Sequence, residues 1–172
     1  MKEARKTRIA ALCLGAMLSS SLACAQELEP GMALPPMQTL RQSVVSATVI
    51  TIPKGVKFLT YVRAKELAKF GCTFEVTEYN DLMSVIEILE HADMHPSGKP
   101  ALPLDLRFGV FLKARDGKET KLYARELVMN NGTVDGVFAG IPVAIKGGFP
   151  AEIRAWASRH VPISLGVNKT CG

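Results

Sequence analysis

The most suggestive chemistry in the chain is His91-Ala92-Asp93-Met94-His95, two histidines four apart with a carboxylate between them. Imidazole and carboxylate suit Zn²⁺ or Cu²⁺, and that spacing puts both rings on one face if the segment is helical. Pro96 works against the geometry. It lacks an N–H donor and its ring restricts His95, so a helix should end near Ala92. A histidine near a helix C-terminus also suits the dipole with no metal at all. The expectation is therefore a solvated helix end and no cofactor, with zinc or copper on His91, Asp93 and His95 as the lesser reading. His160, just before Val161-Pro162, stands in the same way at the end of a later helix.

Other chemistries lack their signatures. Nucleophilic hydrolysis needs a serine with a histidine and a carboxylate in reach, and the Gly-x-Ser-x-Gly elbow is absent. No P-loop occurs, and no Gly-x-Gly-x-x-Gly follows a strand and opens a helix. Glu75, Glu78, Asp81 and Glu87 sit where a polar face is expected and cannot be sorted into a glycosidase pair. Gly132, Gly136, Gly140, Gly147 and Gly148 fit turns or bulges. This leans against an enzyme, with a small periplasmic hydrolase of unrecognised motif as the alternative. Asn131-Gly132-Thr133 and Asn168-Lys169-Thr170 match the glycosylation sequon, which matters only in a eukaryotic secretory pathway.

Surface chemistry is the remaining possibility. If Phe111 and Tyr123 pair across strands on the face away from the helices, they form an aromatic patch beside Lys113 and Arg125. Aromatics and arginine are the residue types that anchor protein interfaces. The 93–103 loop, with three prolines, is long for a compact domain, and such loops are often functional.

The elements that would position these groups can be read from periodicity. Residues 26–43 carry three prolines and read as an extended arm. Residues 43–52 are rich in Val, Ile and Thr, a strand stopped by Pro53 and Gly55. Residues 56–62 fit strand or helix equally. A short helix over 63–70 ends at Gly71. Cys72, Phe74 and Val76 alternate with polar residues, the signature of a half-buried strand over 72–78. Asn80 can cap a helix over 81–92 whose Leu82, Val85, Ile86 and Leu89 share one face. A strand over 104–115 puts Leu106, Phe108, Val110 and Leu112 together, and Asp116-Gly117 turns it back into a strand over 119–128.

Register decides which residues face outward. A two-residue turn would oppose Leu112 to Lys121 and mix the faces. A bulged turn through a left-handed Gly117 sets Leu122, Ala124 and Val128 against Val110 and Leu112, and sheet register follows the buried face. Phe111, Tyr123 and Leu127 then share the other face. Asn131-Gly132 and Gly140 turn two further strands. Phe149-Pro150 opens a last helix, proline suiting its first turn, with Ile153, Trp156, Ala157 and His160 on one side. The expected fold is a single α+β domain over 44–172, an antiparallel β-meander packed against two helices.

Compartment comes from the N-terminus. Lys2, Arg5, Lys6 and Arg8 precede an apolar run over 9–18 and Ala23-Cys24-Ala25, the plan of a secretory signal peptide over 1–25. The run is shorter than the about 20 apolar residues that span a bilayer. Cleavage after Ala25 leaves 147 of the 172 residues. Ser21-Leu22-Ala23-Cys24 resembles the bacterial lipobox, which implies the alternative of an envelope lipoprotein with Cys24 lipidated. The 21 Lys and Arg and 16 Asp and Glu of the whole chain fall to 17 and 15 without the leader. No basic cluster with interleaved aromatics survives, so nucleic acid is not an expected partner. Cys13 leaves with the leader, and Cys72 and Cys171 are expected to form one disulfide, as befits an exported protein.

The chain thus reads as a periplasmic or secreted, non-catalytic module that binds another protein, in the manner of hydrolase inhibitors and toxin-immunity proteins. Membrane contact is expected only if Cys24 is lipidated.

Overall fold

A computed structural model describes residues 33–98, 105–168 and 171. The expected leader, Cys24 and the 99–103 part of the long loop lie outside the described residues. Helix α1 (Met37–Ser43) leads into strand β1 (Val44–Thr51), followed by α2 (Ala64–Phe70), β2 (Cys72–Val76), α3 (Tyr79–His91) and β3 (His95–Pro96). The meander comprises β4 (Phe108–Ala114), β5 (Glu119–Val128), β6 (Thr133–Phe138) and β7 (Ile141–Lys146), before α4 (Phe149–Ala157) and a single 3-10 turn at Gly166–Asn168. The seven strands form one antiparallel sheet in the order β2-β1-β4-β5-β6-β7-β3, giving an α+β domain.

Periodicity explains the inner face. Cys72, Phe74 and Val76 are buried, as their alternation requires, and so are Leu82, Val85, Ile86 and Leu89 along α3. Together with Ile153 and Trp156 of α4 they close over Val49, Val110, Leu122, Val134, Phe138 and Ile145. Each such side chain contributes about 1.5–3 kcal/mol on full burial, so a charge at Ile86 would break this layer. His160 extends the α4 stripe. Its Nδ1 lies 2.7 Å from the Trp156 carbonyl oxygen, its ring stacks on the indole, and Nε2 lies 3.2 Å from Asp81 of α3.

The first hairpin turns as register demands. Gly117 adopts φ +83°, its N–H donates to the Ala114 carbonyl, and Ala114 N–H donates to that of Lys118. The extra residue sets Val110 against Leu122 and Phe108 against Ala124. Lys118 bonds Asp116 through both its backbone N–H and its ammonium, holding that carboxyl below the usual carboxylate range.

Several local expectations change. Met37–Ser43 is helical, not extended, because Leu40 is buried against the inner core and Arg41 pairs with Glu87 and Glu90 of α3. Helix α3 begins at Tyr79 after Glu78, so Asn80 lies within its first turn instead of capping it. Residues 56–62 are neither strand nor helix. Val128, expected in the core, is 48% exposed: it stands opposite buried Val134 but at the end of β5, beyond the register shift after Ala124. His95 and Pro96 pair with Ala144 and Val143 at the sheet edge, where proline costs no ladder bond within the sheet.

The other edge is closed by the C-terminal segment. Thr73 and Ser164 bridge outside β2, and Cys72 joins Cys171, 99 residues away, with a Cα separation of 5.8 Å. Helices α1, α3 and α4 serve the inner core, whereas α2 lies on the opposite face of the sheet. There Leu67 joins Ile50, Ile52, Val62 and Leu106 in a second, smaller core. Leu106 therefore sits apart from Phe108, Val110 and Leu112, with which it was expected to share a face. Gly109 makes room for this layer, since a Cβ there would lie 2.8 Å from Leu67 Cδ2.

Candidate functional site

Cross-strand register lays out a row of residues on the α2 side of the sheet: Ile50, Gly109, Tyr123, Val137 and Pro142, from β1 to β7. Leu67 covers the first two. At Tyr123 the cover thins, and beyond it Val137 and Pro142 are only half-buried. Phe111 and Tyr123 meet at this border, ring centroids 5.4 Å apart and steeply inclined. The expected pair exists, but the face is not free of helices. Both rings pack on the rim of the second core.

The charged neighbours are ordered along the same face. Lys113 is exposed opposite Glu119. Lys121 Nζ stands 5.7 Å from the Phe111 centroid and 2.8 Å from Glu119, whose carboxylate holds the ammonium above the usual lysine range. Arg125, two residues beyond Tyr123, pairs with Asp135 of β6 at 3.6 Å.

Past Arg125, a shallow depression of about 420 Å³ is lined by Asp105, Arg107, Arg125, Glu126, Leu127 and Val128. Both of its carboxylates are held by arginines. Asp105 accepts from Arg107 Nη2 at 2.7 Å, and Glu126 from Arg154 Nη2 at 2.9 Å. Arg154 also donates to the Ile52 carbonyl and lies over Phe108, which ties α4 to the sheet. Leu127, 61% exposed, and Val128 project beside these charges. The surface offers aromatic and aliphatic area edged by ion pairs.

The histidine motif assembles differently from its sequence spacing. Helix α3 ends at His91, Asp93 takes φ +44°, and His95 joins β3. His95 Nε2 and Asp93 Oδ1 are 3.0 Å apart, both exposed. Among the described residues, no three His, Cys, Asp or Glu side chains converge to hold a metal ion. His91, Asp93 and His95 are therefore not gathered as zinc or copper ligands, because the helix that would have aligned them stops first.

Sequence reasoning missed Asp105 and Arg107. Beyond their own pairing, Asp105 accepts the Val62 N–H at 3.1 Å, and Arg107 Nη1 donates to the Val56 carbonyl at 2.6 Å. The available signal was Asp105-Leu106-Arg107, opposite charges at strand spacing around an apolar residue; the segment they hold lies some fifty positions upstream. Compared with known families, characterised proteins and solved structures, the chain matches none.

Proposed function

We propose that this is an exported envelope protein that binds another protein without catalysing a reaction, of the inhibitor or toxin-immunity type. Its contact surface runs from Phe111 and Tyr123 to Leu127, with Lys113 and Arg125 as charged neighbours. The observation that carries the reading is the Phe111–Tyr123 pair at the border of the α2 cover, with exposed Leu127 four residues further along β5. Aromatic side chains already held by packing lose little entropy on association and supply large contact area. The Cys72–Cys171 disulfide supports an oxidising compartment, and the leader-like N-terminus supports export.

The test is affinity capture of the tagged protein from its own envelope extract, followed by mass spectrometry and titration of the recovered partner. Tyr123→Ala removes an anchor but also touches the second core. Leu127→Asp, at an exposed position, is the companion variant. One stoichiometric partner should be recovered and lost with both substitutions, while the Leu127→Asp melting temperature stays at that of the parent. A partner retained at full affinity by both variants would place the contact elsewhere.

A further inference from the structure

Between β1 and α2 the chain makes a loop over 53–62 that is held firmly at its base yet carries apolar residues at its tip. Arg107 donates to the Val56 carbonyl and lies 5.0 Å from the Phe58 ring centroid, and Phe58 packs on Phe70 at 4.9 Å. Val62 is fixed by Asp105 and by Leu106 N–H, which donates to its carbonyl at 3.0 Å. From this base Leu59 projects with 106% relative exposure and Tyr61 with 64%. Leaving such groups in water is a standing cost that an occupant would relieve.

Charge identifies the occupant. Residues 53–70 contain Lys54, Lys57, Arg63, Lys65 and Lys69 against one acid, Glu66. All five basic side chains are exposed, and Glu66 is engaged by the Arg63 backbone N–H at the start of α2. Without the leader the whole chain holds only 17 basic against 15 acidic residues, so positive charge is concentrated here. We infer that this loop and the start of α2 dock on an anionic lipid bilayer. Leu59 enters the acyl boundary, Tyr61 sits at headgroup depth, and Lys54, Lys57, Arg63 and Lys65 meet the phosphates.

A protruding aliphatic tip flanked by lysines and a tyrosine is the composition that interfacial membrane binders use. A protein partner would instead need a pocket shaped to receive a fully projecting leucine. Among the described residues no helix is long and apolar enough to cross a membrane, and the docking is accordingly peripheral. It is independent of the sheet-face reading and would hold that face at a set angle to the bilayer.

The test is co-sedimentation of the chain as purified from cells, with Cys24→Ser throughout so that no attached lipid contributes. Vesicles of equimolar phosphatidylglycerol and phosphatidylcholine are compared with phosphatidylcholine alone. The protein should sediment with the anionic vesicles and be released by high salt. Lys54→Gln with Lys57→Gln should weaken binding by roughly 30-fold, from the attraction of each basic residue near such a surface. Leu59→Ser with Tyr61→Ser should weaken it by at least about tenfold through lost apolar burial. Both double variants should keep the parent melting temperature. No binding to anionic vesicles, equal binding to neutral ones, or full retention by the apolar double variant would each overturn the inference. The first of these outcomes, joined to capture of an acidic protein through the same lysines, would reassign the loop to that partner.

Discussion

Arg107 holds the 53–62 loop, and its removal should release that loop before it unfolds the domain. The side chain is only 13% exposed and makes three hydrogen bonds, to Asp105 Oδ2 at 2.7 and 3.2 Å and to the Val56 carbonyl at 2.6 Å. Hydrogen bonds to charged groups contribute about 1.5–3 kcal/mol each when one partner is deleted, and the contact over Phe58 adds about 0.5–1 kcal/mol. These bonds share one side chain and are not additive, so Arg107→Met, which keeps the stem and removes every donor, should cost about 3 kcal/mol in all. Much of this loss falls on local opening. Val62 N–H, bonded to Asp105, is the natural reporter, and its amide exchange should accelerate by up to about a hundredfold. A cycle with Asp105→Asn in urea denaturation should return a coupling of about 1.5–2 kcal/mol. Loss below about 1 kcal/mol with unchanged Val62 exchange would refute the clamp. The Phe58–Phe70 contact and the Leu106–Val62 bond would then be what holds the loop.

Two further outcomes test the packing. Cys171→Ser should lower stability by about 4–5 kcal/mol in urea denaturation, since the bridge closes a loop of about a hundred residues; a loss near zero would mean that the C-terminal segment does not depend on it. Gly136→Ala should cost about 2–3 kcal/mol by thermal melting, because the new Cβ would lie 2.6 Å from Ile145 Cδ1 and 2.7 Å from the Tyr123 carbonyl oxygen, a backbone atom that cannot move aside. Gly109→Ala should cost less, since the Cβ there meets the movable ends of Leu67 and Phe111.

What the sequence determined by itself was set by short-range physics. Alternation at 72–76, the helical stripe of Leu82, Val85, Ile86 and Leu89, and the bulged turn at Gly117 each follow from a period or a backbone requirement spanning a few residues. The α+β antiparallel plan and the Cys72–Cys171 bridge follow from those same residues and the cysteine count. Tertiary structure alone decided where the pieces lie. Met37–Ser43 became a helix because the core offered Leu40 a place, and His95 and Pro96 became an edge strand because β7 had an open side. Phe111 and Tyr123 share a face, as strand alternation requires, but that α2 covers part of this face and thins out just beside them could not be read locally. The least legible feature was the loop over 53–62. It has no periodicity to detect, and the Asp105–Arg107 pair that gives it a shape lies about fifty residues downstream. Periodicity records which residues must be buried; only the folded chain shows which distant partner holds an irregular segment in place.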